Sequence, residues 1–186
     1  MDLTLGELFK TVLLGIVEGL TEWLPISSTG HMILVDEFIT LHVSKAFMDM
    51  FLVVIQLGAI LAVVVLHFER LNPFSAWKSQ EERRQTFDLW KKVLLACLPA
   101  ALIGLAANKY MEEHFMTAPV VAFTLILYGV LFILVEKYNA TRTPRVTDLV
   151  KLDYRTALVI GFFQVLALVP GTSRSGATIL GGILFG

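Results

Sequence analysis

The sequence predicts an all-α integral membrane protein, and three observations support that fold class. First, 56% of the residues are hydrophobic and the mean hydropathy is +0.72, which is high for a soluble domain of this length. Second, the charged residues are segregated, so that long stretches contain no Asp, Glu, Lys or Arg. Third, prolines and polar side chains interrupt two of the apolar segments. An unusually apolar soluble bundle is the less favoured alternative.

The charge-free stretches define the predicted elements. Each is close to the roughly 17–25 residues that cross about 30 Å of hydrocarbon as a helix. They are residues 50–68, 93–108, 115–135 and 156–173. We therefore expect a single membrane domain over residues 1–186. Its predicted parts are a broken hairpin at 8–35, spans at about 50–68, 93–108 and 115–135, a loop at 136–155 and a second broken segment at 156–186.

Two loops hold most of the basic residues, and both are expected in the cytoplasm. The loop at 69–92 carries six Lys or Arg residues, and the loop at 136–155 carries five. The positive-inside rule assigns such loops to the cytoplasmic side of the membrane. Two predicted spans joined by a short link at 109–114 lie between them, so an even number of crossings returns the chain to the same side. No basic stripe indicates a nucleic-acid partner.

The first broken segment places two acids where an apolar helix is expected. Glu18 and Glu22 are four residues apart, so on a helix they project from the same face. An ionised acid at the bilayer centre costs at least about 2.5–3.5 kcal/mol, and neighbouring carboxylates repel unless a cation or a shared proton lies between them. Oxygen ligands of this kind suit Mg²⁺ or Ca²⁺, which also bind phosphate oxygens. Alternatively, the acids line a water-filled cleft or pair with a distant base.

A proline and a run of hydroxyl residues divide this first segment into two half-helices. Pro25 is incompatible with a helix interior and ends the first half. Ser27, Ser28 and Thr29 can cap a second helix that begins near His31. The free N–H groups and the positive dipole end of such a helix start favour an anion. For any one of these hydroxyls alone, a bond back to a helix carbonyl is the commoner role.

The second broken segment repeats this plan. It contains a glycine, a polar residue three positions later, an apolar run, a proline and a hydroxyl-rich turn. With a one-residue gap, the aligned pairs are Gly15/Gly161, Glu18/Gln164, Pro25/Pro170 and Ser28/Ser173. The two segments enter the membrane from opposite sides. We therefore expect an inverted-repeat helical bundle with two re-entrant, broken-helix hairpins that meet near the midplane.

Arg174 supplies a positive charge in the second turn. A guanidinium at membrane depth needs an anionic partner, and its planar fork matches the oxygens of a phosphate. A structural ion pair with Glu18 or Glu22 is the alternative. Both roles are compatible if a substrate displaces one partner.

These segments resemble a known family. Residues 18–31, EGLTEWLPISSTGH, resemble the first signature of the undecaprenyl-diphosphate phosphatases, the bacitracin-resistance protein family. Residues 170–178, PGTSRSGAT, resemble their second signature, and residues 54–62 resemble the stretch between the two. The similarity runs from the N-terminus to Gly186.

The resemblance implies hydrolysis of undecaprenyl diphosphate to undecaprenyl phosphate and inorganic phosphate. In a bacterial plasma membrane, that multi-pass enzyme recycles the lipid carrier of peptidoglycan synthesis. It confers resistance to bacitracin, which competes by sequestering the substrate. The family's proposed active site consists of the two acids, the Ser-rich turn, the following His and the second-signature Arg. Here they are Glu18, Glu22, Ser27, Ser28, His31, Ser173 and Arg174.

The expected roles follow from phosphoryl-transfer chemistry. Glu18 and Glu22 hold a divalent cation, Mg²⁺ or Ca²⁺, on the diphosphate. Ser28 is the preferred nucleophile, with His31 as base or leaving-group acid. In the competing arrangement, His31 or the metal activates water and Ser28 only binds phosphate. The expected phosphate-binding residues are Ser27, Thr29, Ser173 and Arg174.

Two other classes of function are compatible with the pattern. A transporter or flippase of a phosphorylated polyprenyl lipid would also use Arg174 and the helix ends. It would have less need of Ser and His side chains within reach of one phosphate. A membrane scaffold leaves the intramembrane charges unexplained.

The length of the chain leads to a further prediction. Family members continue through several more membrane helices, whereas this chain stops at Gly186, one hairpin into the second repeat. We expect a chain truncated in that repeat, or one whose missing half comes from elsewhere. A homodimer is among the expected partners, although the GxxxG spacings at Gly15/Gly19 and Gly182/Gly186 serve equally for packing within one chain.

Overall fold

The structure, a computed structural model, describes residues 4–185, apart from the side chains of Asn108 and Glu112. All regular secondary structure in this range is helical, which confirms the predicted all-α class. The helices are α1 (Leu5–Trp23), α2 (Ser28–Asp36), α3 (Lys45–Leu66), α4 (Phe68–Leu71), α5 (Gln80–Phe115), α6 (Ala118–Asn139), α7 (Tyr154–Val165) and α8 (Arg174–Phe185). Short 3₁₀ turns at Leu149–Lys151 and Leu166–Leu168 flank α7. The predicted domain also includes residues 1–3 and Gly186, which lie outside the described residues.

Three helical segments are long and apolar enough to span a membrane. They are α3, the part of α5 at Gln80–Ala107, and α6. Many of their apolar side chains point outward; Val53 and Leu105, for example, are 65% and 87% exposed. Large exposed apolar surfaces of this kind mark contact with lipid or with other protein. The described chain is thus a helical protein with three candidate membrane spans.

Some helix boundaries differ from the predicted ones. The predicted link at 109–114 is helical, because α5 runs on to Phe115 and only Met116 and Thr117 connect it to α6. Lys and Glu are good helix formers, so hydropathy marks the apolar part of α5 and not its end. At its start, α5 opens with a capping box between Ser79 and Glu82, well before the predicted span. The break predicted in the second segment is present, because α7 is followed by a 3₁₀ turn and a bend before α8 begins.

The helices pack as two hairpins joined through α6. α1 packs against α2 and α3, and Leu14, Met32 and Leu41 form a small core against the inner face of α3. α7 packs against α5 and α8. The backbones of α5 and α7 touch at Gly161, where a Cβ atom would lie 2.8 Å from the Ala96 Cα. α6 contacts both α2 and α8 and therefore holds the two helix breaks next to each other.

Candidate active site

The first broken helix places two serines at the start of α2. α1 ends at Trp23, two residues before Pro25, as the ring and the missing N–H of proline predict. Ser27 caps α2, and its hydroxyl oxygen accepts a hydrogen bond from the Gly30 N–H at 3.2 Å. The φ of Ser27 is 67°, in the left-handed region that residues with a side chain rarely adopt. Such strain is concentrated at functional turns, where the surrounding structure holds it in place.

The second broken helix has the same cap. The Ser173 hydroxyl accepts a hydrogen bond from the Gly176 N–H at 3.0 Å, with the same three-residue spacing as in the first turn. This cap matches Ser173 with Ser27. The sequence alignment paired Ser173 with Ser28, one position later. When the two turns are aligned on their capping serines, Arg174 corresponds to Ser28.

Helix α6 supports the second turn from behind. The Thr124 hydroxyl donates to the Pro170 carbonyl oxygen at 2.8 Å. Gly171 follows with a φ of 86°, and a Cβ atom there would overlap the Thr124 side chain. Only glycine meets both requirements, since it adopts positive φ without cost and leaves room for the neighbouring helix.

The two turns contact each other directly, and the contacts are reciprocal. A Cβ atom on Gly30 would lie 3.1 Å from the Gly171 Cα, and one on Gly176 would lie 3.0 Å from the Pro25 carbonyl oxygen. A glycine near the start of each helix therefore packs against the turn of the other hairpin. As a result, α2 and α8 begin side by side.

The starts of α2 and α8 open on one polar cavity of about 90 Å³. The polar side chains around it come from both turns, from the end of α1 and from α3: Thr21, Glu22, Ser27, Ser28, Thr29, Gln56, Thr172, Ser173, Arg174 and Ser175. Two helix N-termini and a guanidinium around one space favour an anion such as phosphate. Six of the eight predicted site residues line this cavity, whereas Glu18 and His31 do not.

Ser28 is hydrogen-bonded to Glu22 in this cavity. The Ser28 hydroxyl donates to Glu22 Oε2 at 2.5 Å. Ser28 is only 3% exposed, so the hydroxyl is held among protein groups rather than in bulk solvent. A carboxylate at this distance can accept the hydroxyl proton as the oxygen attacks an electrophile. The geometry thus places Glu22, rather than the predicted His31, beside the candidate nucleophile.

Glu18 lies one helical turn before Glu22 and is 3% exposed. Within the described residues, the ion pairs do not include Glu18. A buried carboxylate without a basic partner is costly unless it binds a cation or a proton. The described residues contain no cluster of three or more His, Cys, Asp or Glu side chains able to hold a metal ion. A cation held by Glu18 and Glu22 would therefore need its remaining ligands from substrate oxygens and water, as Mg²⁺ commonly has.

His31 lies on the opposite side of the first turn. Its Nδ1 is 2.8 Å from the Ser27 carbonyl oxygen. Because a carbonyl oxygen only accepts hydrogen bonds, Nδ1 carries the proton and Nε2 is the nitrogen left for proton transfer. The ring lines a second, largely apolar cavity of about 530 Å³, together with Tyr128 and Phe132 of α6. The two cavities share Ser173, so His31 is near the site but on its apolar side.

Arg174 is the first residue of α8, and its exposed side chain lines the polar cavity. An ion pair with Glu18 or Glu22, the alternative role considered from the sequence, is not among the ion pairs of the described residues. In this arrangement the guanidinium faces the space where an anion would lie.

Sequence reasoning did not assign four of the cavity residues to the site: Thr21, Gln56, Thr172 and Ser175. Thr172 and Ser175 lie within the second signature, where only their neighbours Ser173 and Arg174 were predicted to belong to the site. Gln56 could have been identified from the sequence, since it is the only polar side chain between Phe51 and Leu66. An isolated polar residue in a membrane helix marks functional sites more often than lipid-facing ones.

Comparison with known proteins agrees with these features. The family model of the bacitracin resistance protein BacA matches residues 11–186. The chain is 60% identical over 181 residues to the undecaprenyl-diphosphatase of Enterococcus faecalis, 61% over 180 residues to that of Lactiplantibacillus plantarum, and 58% over 180 residues to that of Streptococcus thermophilus. Each match covers 97% of this chain, which spans 66, 66 and 62% of the length of these relatives. The chain belongs to the BacA family of bacitracin resistance proteins.

Proposed function

We propose that the protein hydrolyses undecaprenyl diphosphate to undecaprenyl phosphate and inorganic phosphate, the activity named for its relatives. The observation that carries the proposal is the Ser28–Glu22 hydrogen bond beside an anion site built from two helix starts and Arg174. Phosphoryl transfer needs a positioned nucleophile, a proton acceptor and stabilisation of phosphate charge, and this cavity has all three. In the cell, the reaction recycles the carrier lipid of peptidoglycan synthesis and opposes bacitracin, which sequesters the substrate.

In the first step, Ser28 Oγ attacks the terminal phosphorus while Glu22 takes the hydroxyl proton. The bond from that phosphorus to the bridging oxygen breaks, and undecaprenyl phosphate leaves with the electron pair. Arg174 and the N–H groups at the starts of α2 and α8 stabilise charge on the transferring phosphoryl group. Water then hydrolyses the phosphoserine, which restores Ser28 and releases inorganic phosphate.

Glu18 and His31 support this chemistry from the edges of the polar cavity. A divalent cation, Mg²⁺ or Ca²⁺, held by Glu18 and Glu22 would neutralise charge on the diphosphate. His31 lies on the apolar side, where the lipid end of the substrate would bind, and in its imidazolium form Nε2–H would donate to the leaving phosphate. The apolar cavity beside α6 accepts the start of the isoprenyl tail. Ser27, Thr29 and Ser173 bind phosphate from the helix starts.

The proposed membrane arrangement is an inverted repeat. Residues 1–135 form the first repeat and residues 156–186 begin the second, with α1–α2 and α7–α8 as re-entrant hairpins that meet near the midplane. The matched serine caps and the reciprocal glycine contacts support this symmetry. The protein is a multi-pass protein of the bacterial plasma membrane, with both basic loops in the cytoplasm. Association into a homodimer is a further proposal, tested by the molecular mass of the detergent-solubilised protein.

The test is phosphate release from a C15 or C55 isoprenyl diphosphate by the intact protein in detergent, with and without Mg²⁺ or Ca²⁺. We expect metal-dependent release that Glu22→Gln and Arg174→Ala strongly reduce. Glu81→Gln, an exposed acid at the start of α5, is the matched control and keeps full activity. A folded protein that releases no phosphate, yet moves a phosphorylated lipid across a vesicle bilayer, would replace the hydrolase with the transporter.

A further inference from the structure

Gln56 is one of four polar residues of the cavity that the proposed mechanism does not use; the others are Thr21, Thr172 and Ser175. Gln56 lies in the middle of α3. From Phe51 to Leu66, all residues except Gln56 are apolar or glycine. Its neighbours Leu52 and Ile55 pack against the core around Leu14. Gln56 therefore lies on the inner face of α3.

Its position places the amide in the polar cavity. Gln56 lines the space together with Glu22, Ser28 and Arg174, and it is the one contribution from α3. The other polar groups come from the end of α1 and from the two turns. Gln56 thus lines a side of the cavity that neither signature segment reaches.

The amide has no role in holding the turns together. Among the described residues, the hydrogen bonds around the cavity include Ser28 to Glu22, Gly30 to Ser27, Gly176 to Ser173 and Ser173 to Ser175, and none of these involves Gln56. A side-chain amide in an apolar helix is costly unless it is hydrogen-bonded. The remaining partner is whatever occupies the cavity. An ionised phosphate offers only acceptors, so it would be bound by the amide NH₂ group.

We propose that Gln56 is a substrate-binding residue, and that its side-chain NH₂ donates a hydrogen bond to a diphosphate oxygen; this rests on the proposed hydrolase function. As a neutral donor, Gln56 adds affinity and orientation without opposing the negative charge that Glu18 and Glu22 need to hold a cation. Such a contact exists before and during the reaction. Its loss therefore raises KM and leaves kcat nearly unchanged.

The test compares Gln56→Leu, Gln56→Glu and Gln164→Leu in the intact protein in detergent. Gln164 lies in α7, lines neither cavity and is the matched control for removing an amide from an apolar helix. For Gln56→Leu we expect KM for farnesyl diphosphate to rise about 10- to 100-fold, because a hydrogen bond to a charged group is lost. The affinity for methylenediphosphonate, a non-hydrolysable diphosphate measured by titration calorimetry, falls by the same factor. Gln56→Glu should bind methylenediphosphonate more weakly still because its carboxylate repels the phosphonate groups. Gln164→Leu should leave both the KM and the affinity unchanged.

The outcomes separate this inference from the function it rests on. If the wild type is active and Gln56→Leu keeps its KM and its affinity for methylenediphosphonate, the role of Gln56 is overturned and the hydrolase stands. If Gln56→Leu weakens methylenediphosphonate binding but the wild type releases no phosphate, the contact stands and the hydrolase falls. A fall in kcat together with a lower melting temperature, at unchanged affinity, would show a structural role and overturn the inference.

Discussion

The two broken helices share one backbone plan and carry different chemistry. Ser27 and Ser173 cap α2 and α8 through the N–H three residues later, and each hairpin packs a glycine against the turn of the other. The residue after the cap is Ser28 in the first turn and Arg174 in the second. Acids precede the first turn, whereas the polar residue aligned with Glu18 before the second turn is the neutral Gln164. The comparison indicates that one turn provides the nucleophile and the other the positive charge, and that phosphoryl transfer needs both.

The largest expected effect comes from breaking the first turn's chemistry. Ser28→Ala and Glu22→Gln should each lower kcat for phosphate release by about 10²–10⁴-fold, since one removes the nucleophile and the other its proton acceptor. If Glu22 acts through Ser28, the double variant is hardly slower than either single one. Losses that multiply in the double variant would show that the two residues act independently.

A smaller effect is expected from the second turn. Arg174→Lys keeps the charge but loses the planar fork, and we expect kcat/KM to fall about 10- to 100-fold. Arg155→Lys, at the exposed start of α7, is the control and should match the wild type. Full activity in Arg174→Lys would mean that charge alone suffices at this position.

The support behind the second turn can be tested through stability. Gly171→Ala imposes positive φ on a residue with a Cβ atom and drives that atom into Thr124, so we expect a loss of about 1–3 kcal/mol in unfolding free energy. Gly129→Ala in α6 meets no atom within 4 Å and should be neutral or slightly stabilising. Melting temperatures in detergent measure both, and equal values for the two variants would contradict the described turn.

The smallest effect is expected from removing the two serine caps. Ser27→Ala and Ser173→Ala each remove one helix cap, so both should cost about 0.5–2 kcal/mol of stability and by similar amounts. Chemical denaturation in detergent measures the two losses. A large cost for one and none for the other would show that the two turns are not equivalent.

Signals local in sequence predicted the breaks, and contacts between distant segments supplied the rest of the site. Pro25 and Ser27 predicted the first break and its cap because proline and serine act on the backbone within a few residues. The position of His31 was not predictable, since it depends on packing of α2 against α6. The same holds for Gln56, which reaches the cavity only because α3 packs against α1. The long reach of α5 was missed because its last residues are polar but still helical.

Attack by Ser28 on the substrate leaves a covalent phosphoserine, so trapping that intermediate is the decisive experiment. The intact protein would be mixed with isoprenyl diphosphate labelled at the terminal phosphorus, quenched with acid within milliseconds, digested and analysed by mass spectrometry. We expect a labelled phosphoserine at Ser28 that decays as inorganic phosphate appears and that is absent from Ser28→Ala. Steady release of phosphate by Ser28→Ala at the wild-type rate, with no labelled residue in either protein, would contradict attack by Ser28 and make water the nucleophile.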